Sequence, residues 1–64
     1  MESVYYSEEC NIILTIGNEG TNGEFFIQSS KKSPSGEHIL SINPNQYNEI
    51  FDIITKYYTF IGYV

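Results

Sequence analysis

The chain has 64 residues, in which eight carboxylates face three lysines and no arginine, for a formal net charge of −5. A single domain is the ceiling at that length, and Cys10, the one cysteine, has no internal partner for a disulfide. No apolar run reaches the ~20 residues that span a bilayer, and Met1 to Tyr6 lacks the basic start and apolar stretch of a signal peptide, so a cytoplasmic protein with no membrane contact is expected.

From Ser3 to Ile16 the residues have strand character, with a break near Ser7 to Cys10. Gly17 to Gly23 is dense in turn formers and leads into a second strand, Glu24 to Ser29. Ser30 to Gly36 is a further turn segment before a third strand, Glu37 to Ile42. Consecutive strands joined in this way form an antiparallel meander. Asn43-Pro44-Asn45-Gln46-Tyr47 then starts a helix: Asn43 suits the N-cap, Pro44 the first helical position, and Gln46 the capping-box spacing. Ile42 and Tyr47 have the spacing of a hydrophobic staple. Tyr47, Ile50, Phe51, Ile54, Tyr57, Tyr58 and Ile61 recur at three- and four-residue steps as one apolar stripe, with Ile53 off it. The helix is expected to fray near Thr59 into a packed tail. A strand added at a sheet edge is the alternative, because Tyr58 to Val64 is rich in aromatic and β-branched residues.

The fold class is therefore α+β, a three- to four-stranded antiparallel meander followed by one C-terminal amphipathic helix packed on one face, with residues 1–64 forming a single domain. Alternation places Ile12, Leu14, Ile16, Phe25, Ile27, Leu40 and Ile42 under the helix. The opposite face takes Ile13, Thr15, Phe26, Gln28, Ile39 and Ser41, and Tyr5 can join them there. A sheet with large apolar residues on both sides has more to cover than one helix can reach.

Catalytic chemistry has little to stand on. His38 is the only histidine and alternates with Ile39 on a strand; Cys10 has no second thiol and no helix N-terminus to lower its pKa. Gly17, Gly20 and Gly23 are evenly spaced but lack the lysine and following helix of a phosphate cradle. No spacing of ligands suits a metal, no cofactor is implied, and the chain reads as a non-enzyme.

The charge is uneven along the chain. Glu2, Glu8, Glu9, Glu19 and Glu24 precede any basic residue, whereas Glu37, Glu49 and Asp52 are balanced by Lys31, Lys32 and Lys56. Such an acidic segment repels phosphate and attracts basic protein surface.

Ile39 to Ile50 resembles the last strand and helix start of the positive-coactivator-four family, where a strand runs through an Asn-Pro turn into a helix with an early aromatic. The order of strands before one helix, with a charged hairpin like Ser30 to Gly36, is similar to the Pur-alpha repeat. These resemblances imply a dimer of strand-strand-strand-strand-helix units that binds single-stranded nucleic acid on its sheet, here through Lys31, Lys32, Tyr5 and Phe26. The basic residues of those families have no other counterparts in this chain, and its charge disfavours nucleic acid.

The leading expectation is a non-enzymatic, acidic, homodimeric interaction protein that binds and blocks or sequesters a macromolecule, in general character like small viral inhibitors encoded by phages and mobile elements. Its partner contact is assigned to Glu2, Glu8, Glu9, Glu19, Glu24, Phe26 and Ile39, and its dimer contact to Ile13, Phe26, Ile39 and Ile53. Single-stranded nucleic-acid binding is the alternative, and a small-molecule sponge with its site at the dimer interface is a third.

Overall fold

The computed structural model describes residues 2–19 and 24–64, without the side chains of residues 18, 19 and 24. The glycine-bearing connection of residues 20–23 lies outside them. Five strands form one sheet: β1 (Ser3–Ser7), β2 (Ile12–Glu19), β3 (Glu24–Ser29), β4 (Ile39–Ile42) and β5 (Thr59–Tyr63), with helix α1 (Pro44–Tyr57) between β4 and β5. The spatial order is β4-β3-β2-β1-β5, and every neighbouring pair is antiparallel.

The expected break in the first strand segment is a tight reversal. Asn11 takes φ 54° there, a left-handed conformation that Asn tolerates better than most residues. The Cys10 N–H donates to the Ser7 hydroxyl at 3.2 Å, which gives that buried oxygen a partner. The β3–β4 connection is a longer hairpin whose ladder reaches one residue ahead of β4, with the Ser29 N–H donating to the His38 carbonyl at 2.7 Å. Its tip is a turn closed by Gly36 N–H to Ser33 carbonyl at 2.8 Å. Pro34 supplies the preset φ of the second turn position, and Gly36, at φ +86°, supplies the left-handed residue that returns the chain to register.

Helix α1 begins as capping chemistry dictates. Asn43 is extended, its side-chain oxygen accepts from the Gln46 N–H at 3.2 Å, and Pro44 opens the first turn. The helix leaves one edge strand, β4, and feeds the other, β5, so it must cross the whole sheet. Fourteen residues span about 21 Å, close to the roughly 19 Å occupied by four interstrand spacings. The helix is not long and apolar enough to cross a membrane.

The tail differs from the favoured expectation of a fraying helix. Tyr58 turns extended at φ −122°, ψ 152°, and Thr59–Tyr63 pairs with β1 as a fifth strand. The α+β class and antiparallel sheet are as expected, but the helix is followed by a strand and the meander gains a member beside β1. Tyr5 opposes Phe60 and Val4 opposes Gly62, so Ile61 is the extra residue of a bulge, with Gly62 at φ +143°.

The core lies between the helix and one sheet face. Tyr5, Ile16, Ile27, Ile42 and Ile54 are buried, with Leu14, Phe25, Tyr47, Ile50, Phe51 and Tyr58 packed against them. Tyr5 therefore belongs to the helix side, contrary to its expected place on the opposite face. Direct pairing with Leu14 sets that phase, because cross-strand partners share a face. Around Tyr5 runs a chain of rings. Phe25 stacks on Tyr47 at 4.0 Å between centroids, Tyr47 on Phe51 at 5.5 Å, and Tyr5 meets the edges or faces of Phe51 at 6.2 Å and Phe60 at 5.5 Å. Leu40 shares the helix side with Ile42 but remains 56% exposed, since the helix moves away from β4 at once.

Candidate functional site

The helix-free face is built from the other half of the alternation. Val4, Thr15, Gln28 and Ile39 form one cross-strand row, and Tyr6 faces Ile13 in the next. Gly17, Phe26 and Ser41 form a third row. Ile13 is 43% exposed and Ile39 53%, with Val4, Tyr6 and Phe26 half-buried among their neighbours. No element of the described chain lies over them. Each such residue forfeits part of the ~1.5–3 kcal/mol that full burial of a large apolar side chain supplies.

Three of the residues expected at a dimer contact, Ile13, Phe26 and Ile39, thus share one surface. The fourth does not. Ile53 is 58% exposed on the helix, which packs on the opposite side of the sheet.

The acidic set is also divided. Glu2 precedes β1, whereas exposed Glu8 and Glu9 lie in the turn after it, so the five residues of β1 separate them by roughly 17–20 Å. The backbones of Glu19 and Glu24 pair with each other at the Glu2 end, but their side chains are outside the described residues. One sequence-local acidic segment becomes two acidic ends.

The residues expected to contact nucleic acid do not assemble either. Tyr5 is 5% exposed beneath the helix and cannot stack a base, Phe26 is on the far face, and Lys31 and Lys32 are in the β3–β4 hairpin. Burial also pushes the Tyr5 phenol above its ordinary pKa of 10.0, opposed by Ser3 and reinforced by Tyr47 and Tyr63. Cys10 is an exposed free thiol. Among the described residues, no group of three His, Cys, Asp or Glu side chains is placed to hold a metal ion.

A groove elsewhere on the molecule brings together residues far apart in the sequence. In the corner beyond Leu40, a groove of about 360 Å³ is bounded by Ile12, Ile27, Ile39 and Leu40 and by hairpin residues that include Lys31, Lys32 and His38. Folding the hairpin about its Pro34 tip brings Lys31 and Lys32 toward His38, a juxtaposition that linear spacing conceals. No protein-family model, curated protein or solved structure matches this chain.

Proposed function

We propose that the protein is a non-enzymatic interaction protein that forms a homodimer through its helix-free sheet face and presents its acidic ends to a macromolecular partner, which it blocks or sequesters. The observation that carries this reading is the uncovered apolar surface of Ile13, Phe26 and Ile39 on a chain of only 64 residues.

Charge favours a second copy as the first occupant of that face. Two molecules of net charge −5 repel, so their contact must avoid juxtaposing carboxylates. From Val4 through Thr15 and Gln28 to Ile39, and from Tyr6 to Ile13, the middle of the face carries no ionisable carboxylate. Its acidic residues are kept to the ends of the strands, where a partner of opposite charge can meet them after the apolar centres have paired.

Light scattering on the chromatographed protein tests the dimer. The expected mass is twice 7.4 kDa, falling to the monomer value for Ile13→Glu combined with Ile39→Glu while the circular dichroism spectrum is retained. A monomer at every concentration of the unaltered protein overturns the reading, as does a dimer indifferent to both changes.

A further inference from the structure

The groove beyond Leu40 gathers two lysines and the histidine within an otherwise acidic molecule. Lys31 and Lys32 are two of the three lysines and His38 is the only histidine, and all three line it. Its floor is apolar, made by Ile12, Ile27 and Leu40, and the hydroxyls of Ser29 and Ser33 add donors at its wall. Glu37 also lies on the wall and sets a limit on how much negative charge the groove accepts.

Two features hold this arrangement in place. The Lys31 ammonium donates to the Cys10 carbonyl at 2.9 Å, tying the hairpin to the β1–β2 turn. That bond uses one of its three N–H donors and leaves the others for a ligand. The hairpin itself is braced by the Ser33 hydroxyl, which accepts from the Glu37 N–H at 3.3 Å, and by the Ser33–Ser35 hydroxyl contact at 2.8 Å.

We propose that this groove binds a small amphipathic monocarboxylate, with an aromatic or branched aliphatic body on Ile12, Ile27 and Leu40 and its carboxylate directed to Lys31 and Lys32. Volume and charge both point to that class. About 360 Å³ lies at the small end of ligand sites and suits a one- or two-ring acid. The carboxylate meets charge-assisted donors, whereas a multiply charged phosphate ester would bring more charge than two lysines beside Glu37 can offset. Ile12, Ile27, Ser29 and Leu40 put most of the site on the helix side of the sheet, and Ile39, at its rim, is the one lining residue shared with the proposed dimer face.

Titration of the full chain with 2-naphthoate, followed by two-dimensional NMR, tests the assignment. Saturable shifts are expected at Ile12, Ile27, His38 and Leu40, with little change at Ile13 and Phe26. The cation 2-naphthylmethylamine should bind at least about tenfold more weakly, a ratio equivalent to one decade in Kd. Lys31→Gln with Lys32→Gln should weaken naphthoate by about tenfold or more, as expected for loss of charge-assisted bonds, while leaving neutral 2-naphthalenemethanol nearly unaffected. Lys32→Gln alone keeps the Lys31 tie to Cys10 and should give part of the loss. Equal binding of amine and acid, shifts centred on the helix-free face, or no saturation at about 10 mM, beyond the millimolar range of weak specific ligands, overturns the proposal.

Discussion

The Phe26 ring lies over the Cα of Gly17, so close that a Cβ on residue 17 would sit 2.7 Å from its Cε1 and Cζ. The two residues are direct cross-strand partners, and the Glu2 Cγ also lies 3.1 Å from the same point. Gly17 is buried by these neighbours, and its missing side chain is what lets an aromatic ring lie flat along the helix-free face.

Gly17→Ala should therefore displace the Phe26 ring and cost about 1 kcal/mol, at the low end for overpacking because the clashing atoms are the far end of a half-exposed side chain. In a Phe26→Ala background the sign should reverse, since alanine in a strand is favoured over glycine by roughly 0.5–1 kcal/mol once the ring is gone and only the flexible Glu2 side chain has to shift. Urea unfolding of the four proteins in the cycle measures both values. Equal costs in the two backgrounds would remove the ring contact as the cause.

The helix start supplies a second prediction. Asn43→Ala removes the side-chain acceptor for the Gln46 N–H, leaving only the residue 43 carbonyl at 3.0 Å, and should cost about 1 kcal/mol, whereas Asn43→Ser or Asn43→Asp should retain most of the stability. Thermal unfolding monitored at 222 nm distinguishes these variants.

Phe60 and Ile61 are adjacent and similarly exposed, yet they should respond differently to truncation. Phe60 meets the Tyr5 ring at 5.5 Å, while Ile61 is the extra residue of the bulge. Phe60→Ala should destabilise by about 2–3 kcal/mol, below the 3–5 typical of a fully buried phenylalanine. Ile61→Ala should cost less than about 1 kcal/mol in denaturant titrations, in the range of surface substitutions. A reversed order would show that the ring chain does not hold β5.

Tyr5 gives the fold a limit at alkaline pH. Its phenol is raised by burial, so the folded chain keeps a proton that the unfolded chain loses above pH 10.0. The stabilisation is fully present below that pH and declines as pH rises through it toward the higher folded value. Urea midpoints for the unaltered protein should fall between pH 9 and 11 more steeply than those for Tyr5→Phe. Parallel slopes would exclude this phenol as a source of the pH dependence.

The parts of the fold that follow from neighbouring residues could be read from the sequence, as the Asn43 cap and the Ser30-to-Gly36 turn segment illustrate. Phase and path could not. Val4, Tyr5 and Tyr6 are all apolar or aromatic, so alternation alone does not say which one turns inward; pairing of Tyr5 with Leu14 decides it. Residues 59–63 suited both a helix end and a strand until the open edge of β1 was available as a partner. The surface residues show the same division. Ile13, Phe26 and Ile39 came together because alternation is preserved across paired strands, but the acidic set separated because β1 runs between Glu2 and Glu8. The groove at Leu40 depended on the β3–β4 hairpin folding against β2, which no local pattern reports.

The position of β1 between β2 and β5 also fixes an order of assembly. During synthesis the meander and the helix can form while one side of β1 still has unpaired amide and carbonyl groups. That side closes only when residues 59–63 leave the ribosome, and the Glu2 and Val64 backbones then exchange bonds of 3.0 and 2.9 Å. A nascent chain stalled before Thr59 exposes a bare strand edge beside the Tyr5 ring, and it is in that interval that the protein is most vulnerable to mispairing with its own copies.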